Sequence, residues 1–162
     1  MASNMYIKFE TPSIAGSSQE PGHVEEIEIL SFNHGFVQPT SPTRSTALDQ
    51  ATHQNLMFTK YIDTSTNALL KHCWSGSPFD KVTLSCYRSD GRDKNPVEYL
   101  KVVMEHVVIS NYSVSGGPGD LPVENVSLDY GVIQYNYKEH RLGSSSDKIL
   151  SAKHNLETRT VE

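Results

Sequence analysis

The segment Phe58-Thr59-Lys60-Tyr61-Ile62-Asp63-Thr64-Ser65-Thr66-Asn67-Ala68-Leu69-Leu70 constrains the fold more than any other stretch of the chain. Phe58 to Ile62 is aromatic and β-branched, a composition that suits a pleated strand. Asp63, Thr64 and Ser65 then stand in succession, each with an oxygen able to accept a hydrogen bond from an orphan N–H of a first helical turn. The segment predicts a strand running directly into a helix over 64–75. Leu69, Leu70, Cys73 and Trp74 fall at i, i+1, i+4 and i+5 and are expected to form one apolar packing face. Gly76 stands where a left-handed stop belongs.

Elsewhere the periodicity is that of strands. Met5–Glu10 reads as a first strand, and Thr11–Gly22, with Pro12, Gly16, Pro21 and Gly22, as a loop. His23–Phe36 reads as one long strand. Its apolar residues change parity between Ile27/Ile29 and Leu30/Phe32, the mark of a bulge, a bend or burial on both faces. Val37–Gln54 is rich in Ser, Thr and Gln, carries Pro39 and Pro42, and reads as a long loop. Asn55–Ile62 is the strand that leads into the helix. In Asp80–Arg88, Val82, Leu84 and Cys86 alternate with Lys81, Thr83 and Ser85, and Ser89-Asp90-Gly91 reads as a turn. Val97–Val114 predicts a long, bending strand, broken by Gly116-Gly117-Pro118-Gly119-Asp120. Val123–Tyr137 reads as a last strand whose parity switches beside Gly131, as at a bulge or barrel corner. The class is all-β with one short helix, and long bent strands favour two packed sheets or a barrel. From Lys138 the chain is polar, with Ser144-Ser145-Ser146. The expected organisation is a β domain over 5–137 and a C-terminal tail over 138–162, partly ordered or docked on a neighbour.

Five pieces stand in a telling order: Met5-Tyr6-Ile7-Lys8, His23 to Leu30 (HVEEIEIL), the FTKYID-ST run of residues 58–66, Val97-Glu98-Tyr99-Leu100, and Glu124-Asn125-Val126-Ser127-Leu128. On these residues the chain resembles the Hcp family, the haemolysin-coregulated tube proteins of bacterial type VI secretion. The resemblance implies a compact β-barrel of two packed sheets with one helix at its side. It implies homo-hexameric rings that stack into an inner tube, a contractile sheath around it, a VgrG-type spike at its end, and effector proteins as cargo of the lumen. It implies no cofactor. It also implies a protein made in the bacterial cytoplasm and exported by its own machine to the extracellular space or a target cell. An effector-binding ring chaperone and a phage-type tail tube protein are the alternatives that share these features.

The residues themselves point away from other classes. Net charge is −5, from 14 Lys+Arg against 19 Asp+Glu, and no two basic residues are adjacent, so no phosphate-tracking patch is expected. The first residues lack a basic region followed by an apolar one, and no signal peptide is expected there. No apolar run approaches the roughly 20 residues that span a bilayer. Cys73 and Cys86 have no C-x-x-C spacing and read as buried, reduced small hydrophobes. The seven histidines, His23, His34, His53, His72, His106, His140 and His154, form no H-x-H, H-E-x-x-H or Cys/His cluster, so no metal site is expected. His106 reads as a strand histidine and His34 as a strand-end polar residue or a surface contact. Glu25, Glu26 and Glu28 read as a solvated face or a contact across a subunit boundary. No nucleophile elbow or phosphate loop is present, Gly116-Gly117-Pro118-Gly119 reads as a turn, and the expectation is a protein that is not an enzyme.

Two sets of residues are candidates for assembly and cargo. A loop as long as Val37–Gln54 gains little within one protomer to offset its ordering entropy, so Gln38, Thr40, Ser41, Thr43, Arg44, Asp49 and Gln50 are expected at a ring or stacking interface. Ser31 and Asn33 share the parity opposite to Leu30 and Phe32. They are expected to face outward and line a lumen, where small polar groups offer hydrogen bonds without a strong charge preference.

Overall fold

The computed structural model describes residues 4–41, 44–47, 50–88, 96–139 and 148–162. The turn expected at Ser89-Asp90-Gly91 and the Ser144-Ser145-Ser146 run lie outside the described residues. The chain opens with β1 (Asn4–Glu10), followed by β2 (Ile27–Ile29) and β3 (Ser31–Asn33). The single long strand expected over His23–Phe36 is therefore broken. His23–Glu26 is a turn, in which Glu26 N–H donates to the His23 carbonyl, and Leu30 separates β2 from β3. The parity change marks this break. Ile27 and Ile29 are buried, whereas Leu30, expected on the core face beside Phe32, is exposed, because the chain passes there from one sheet to the other.

The stretch read as a loop is an arm of two short ribbons. β4 (Phe36–Val37) pairs with β7 (Thr52–His53), and between them β5 (Thr40–Ser41) pairs with β6 (Arg44–Ala47). Gln54 N–H closes the base on the Gly35 carbonyl, 2.9 Å. Strands as short as two to four residues show no apolar alternation, and Thr40 and Thr52 have the β-branched shape that a strand accepts.

β8 (Leu56–Tyr61) then leads into α1 (Thr66–Ser75), which begins two residues later than expected and ends at Gly76. Gly76 is left-handed at φ 69° and its N–H donates to the His72 carbonyl, 3.0 Å. β9 (Phe79–Arg88) and β10 (Val97–Ser115) follow. β10 carries its own corner. Val102 and Met104 are buried on one parity, Val107 and Ile109 on the other, and His106 between them has φ 55°. The last expected strand is two strands, β11 (Val123–Asp129) and β12 (Val132–Glu139), turned at Tyr130-Gly131 opposite that corner. Gly131 N–H donates to the Glu105 carbonyl, and a Cβ on Gly131 would stand 2.6 Å from Glu157 Oε1. A side chain at 131 would have to push aside the carboxylate of the exposed Glu157.

The described part of the C-terminal segment is paired into the sheet. β13 (Lys148–Asn155) pairs with β12 from Val132↔Asn155 to Glu139↔Lys148, and β14 (Thr160–Val161) pairs back on it. One sheet therefore runs β2-β1-β9-β10-β12-β13-β14, and the other β10-β11-β8-β3. β10 belongs to both. The two sheets do not close into a continuous hydrogen-bonded barrel: at the side away from β10 they are linked covalently, through Leu30 between β2 and β3. Between them lies one core, with Ile7, Phe9, Leu56, Phe58, Phe79, Leu84, Met104 and Leu128 fully buried. Phe9 stacks at 4.7 Å on Phe79 and at 6.4 Å on Phe58.

Candidate functional site

The strand–helix junction is built around buried ions. Lys60 has no solvent exposure. Its ammonium lies 2.5 Å from Glu124 Oε2 on β11, also fully buried, and donates to Asp63 Oδ1 at 2.8 Å and to the Tyr61 carbonyl at 3.0 Å. Asp63 Oδ1 also accepts the Ser65 N–H at 2.9 Å and the Ser65 hydroxyl, and Asp63 N–H donates to Thr66 Oγ1 at 3.1 Å. Asp63 thus organises the helix start from two residues before the first helical turn's flank closes, and Ser65 holds the cap position without a side-chain capping bond. Thr59 Oγ1 donates to Asn125 Oδ1, 2.7 Å. The two sequence pieces FTKYID-ST and ENVSL are therefore one structure: β8 and β11 side by side, bonded through their polar side chains. The Tyr112 hydroxyl nearby is raised above the usual phenol range by burial and then by the Glu124 carboxylate.

The arm of 36–53 and the C-terminal hairpin of β13 and β14 face each other across a cleft of about 650 Å³. Phe36, Ile133, Tyr135, Ala152 and Val161 supply its apolar wall, and Lys153 and Arg159 stand on it with cationic groups. Of the expected interface residues, Gln38 and Gln50 line this cleft, and Thr40 is exposed and pairs with Ala47. Ser41 pairs with Arg44 through the backbone. Thr43 and Asp49 lie outside the described residues.

Ser31 and Asn33 are exposed on β3, the edge strand of its sheet, opposite Thr59 and Met57. Phe32 between them turns inward and packs on the core. Asn33 borders a polar depression of about 520 Å³ with Gln54, Asn55, Ser110, Asn111 and Ser127.

This strand path, with one helix beside it, matches known proteins over the length of the chain. A family model described as "Type VI secretion system effector, Hcp" matches residues 6–137. The chain belongs to the Hcp family. Protein hcp1 of Pseudomonas aeruginosa is 33% identical over 150 residues, covering 91% of this chain and 90% of that protein. The "Major exported protein" of the same organism is 22% identical over 143 residues, covering 85% and 83%. Among solved structures, Hcp1 from Salmonella typhimurium superposes with a TM-score of 0.78 at 24% identity, covering all of both chains.

Within this Hcp fold the helix is narrower in its packing than the spacing predicts. Leu69 is fully buried, Leu70 and Cys73 are half-buried, and Trp74 is 77% exposed. A ten-residue helix lying beside β10 turns less than half its circumference inward, and position 74 falls past that edge. Cys73 and Cys86 are both free; burial pushes the Cys86 thiol up to about 11. His106 is the exposed corner residue of β10. Glu26 accepts from the His23 ring at 2.9 Å, and that ring stacks on Tyr6 at 4.3 Å. Among the described residues no group of three or more His, Cys, Asp and Glu is placed to hold a metal ion.

The sequence did not point to a second polar network. His34, expected as a strand-end polar residue or a surface contact, is half-buried, with its Nδ1 on the Tyr135 hydroxyl and its Nε2 2.7 Å from the Tyr130 hydroxyl. Tyr130 also meets His53 Nδ1 at 2.7 Å, and His53 Nε2 meets His154 Nδ1 at 2.7 Å. Burial lowers His34 to about 4, helped by His53, and lowers His53, helped by His154. Five side chains from four separate parts of the chain form this line, and their spacing carries no periodic signal.

Proposed function

We propose that this Hcp protein is a tube subunit of the type VI secretion system: six copies form a ring, rings stack into the inner tube, and contraction of a surrounding sheath drives the tube outward. The observation that carries this reading is the family match across the β domain. The surface supports it. Phe36 and Val37 on the arm and Ile149, Leu150 and Val161 on the C-terminal hairpin leave apolar side chains in water in the single protomer. These elements are candidates for heterologous contacts, which close into a ring when the rotation between copies permits. Export by the type VI machine, a VgrG-type spike and sheath proteins as partners, and a structural rather than catalytic role belong to the same reading. Light scattering on the purified protein tests it. A particle six times the 18.1 kDa chain mass is expected, and a monomer across the micromolar range would refute it.

A second role, sheltering effectors in the ring, is favoured by the exposed Ser31 and Asn33 beside the polar depression. Asn33→Arg would add bulk and charge in every subunit. Rings that form normally but lose a co-purifying effector support a lumen position. Rings that keep every cargo place Asn33 elsewhere.

A further inference from the structure

We propose that Tyr135, His34, Tyr130, His53 and His154 form a proton-sensitive latch that holds the 36–53 arm and the C-terminal hairpin against the β domain, and releases both when two of its imidazoles are protonated. The latch is internal to one protomer and does not depend on the tube reading.

Its members come from each part that must be held. His34 follows β3 at the base of the arm and His53 lies in β7, the arm's returning strand. Tyr130 is in the corner between β11 and β12, Tyr135 is on β12, and His154 is on β13 of the hairpin. The Phe36 ring caps the line, 4.4 Å from His34 and 4.9 Å from His53. The four contacts run in one file, from Tyr135 through His34, Tyr130 and His53 to His154.

Proton counting gives the file its behaviour. A neutral imidazole has one N–H and one bare nitrogen, and a tyrosine hydroxyl donates once and accepts. With all groups neutral, each contact holds one hydrogen, and the file is satisfied running in either direction. One added proton can also be accommodated, because an imidazolium donates at both ends and its neighbours turn to accept. A second cannot. Either the Tyr130 oxygen then faces two N–H donors with its own hydrogen stranded, or His53 and His154 set N–H against N–H at 2.7 Å. Stranded buried donors and facing like charges both favour opening.

Among the described residues no carboxylate is bonded to the His34 or His53 ring, and Asp129, beside Tyr130, acts on that hydroxyl only through space. Both ring nitrogens of His34 and of His53 are taken up inside the file, so neither carries a carboxylate. Around it, Asp129 accepts the Tyr130 N–H, and Glu157 stands over Gly131, whose N–H donates to the Glu105 main-chain carbonyl. Lys153 and Arg159 on the cleft wall add positive charge, and Glu162 meets Lys153 through the main chain. The Gln54 backbone, which favours the charged form of His34, is outweighed by burial and by His53. Tyr135, raised to about 12, and Tyr130, raised further, both keep their hydrogens at neutral pH.

The sign follows from the lowered imidazoles. The closed state is favoured in full above 6.5, the ordinary histidine value, and loses that advantage as pH falls toward about 4. For His34 alone, linkage raises the open fraction about 25-fold between about pH 7.5 and about pH 5.

Hydrogen–deuterium exchange on the full chain at those two pH values tests the latch, read as protection factors. The arm and the hairpin are expected to lose about 25-fold or more in protection while β9 keeps its own. The double variant His34→Phe/His53→Leu removes both lowered imidazoles, and its ratio between the two pH values is expected to fall to near unity. His34→Phe alone, which keeps an aromatic ring on Tyr135, is the second variant and should lower the ratio at least about fivefold. His72→Gln, outside the file, should keep the wild-type ratio. A wild-type ratio near unity would overturn the latch. So would a full response in the variants lacking His34, or equal loss of protection in β9.

Discussion

The molecule has two buried polar networks, and they are built on opposite principles. The Lys60–Asp63–Glu124 junction is ionic, dry and central, and it ties α1 to β8 and β11 with opposite charges. The His34–Tyr130–His53–His154 file is neutral and peripheral, and it ties the arm and hairpin to the β domain with hydrogens that can reverse direction. The first is strong as long as every member is present, because removing one leaves a buried charge uncompensated. The second keeps its bonds until two of its imidazoles are protonated.

The sharpest way to break this contrast is Lys60→Met. It strands the Glu124 and Asp63 carboxylates in the core and should cost about 3–5 kcal/mol, read as a large fall in melting temperature or as insoluble protein. Lys60→Met/Glu124→Leu should recover much of that loss. If the double variant is no better than the single, the junction is held by packing and not by charge. Leu69→Ala comes next. Truncating the one fully buried residue of α1 should cost about 2–5 kcal/mol in denaturant unfolding, and a loss well below that range would show that the helix is not anchored through this side chain.

Tyr130→Phe is smaller and sharpens the other side of the comparison. It leaves two imidazole nitrogens without their shared partner, at about 1–3 kcal/mol, felt at the arm and hairpin. Limited proteolysis should cut those segments first; first cuts in β9 or β10 would place the loss elsewhere. Trp74→Ala should move monomer stability by less than about 0.5 kcal/mol, because the ring is 77% exposed. A larger loss in the assembled particle than in the separated protomer would assign Trp74 to a contact between copies. The thiols supply the mildest test. Cys86 is fully buried and pushed to about 11, so a thiolate-selective reagent should modify the half-buried Cys73 first.

The same contrast explains what the sequence made legible. Lys60, Asp63 and Ser65 act within one local turn, and Glu124-Asn125 lies in a strand that pairs directly with theirs, so short motifs carry the junction. β9 and the inward parity of Phe32 were readable because one face of each strand is buried and the other wet. The latch was not readable. His34 and Tyr135 are 101 positions apart, as are His53 and His154, and they meet only through sheet order. The arm passed for a loop because its strands are only two to four residues long, too short to show an alternation. β13 was hidden because Ile149 and Leu150 are adjacent in sequence, and both are exposed. Trp74 misled through spacing, since an aromatic at i+5 satisfies a helical pattern whether or not a partner surface reaches it.

β10 has a kinetic consequence. Its 19 residues, roughly 60 Å of contour, bond to β9 along one edge and to β11 and β12 along the other. Neither sheet can complete its ladder before this strand is in place, and the pairings that extend outward from it, β1 on β9 and β8 on β11, join strands far apart in sequence, so the search that precedes folding is long and places the protein among the slower two-state folders. The reverse also holds. A pull that peels the β11/β12 edge of β10 opens both sheets at once, whereas a pull on the β9 edge opens only the first, so a subunit loaded along the former edge should yield in a single step.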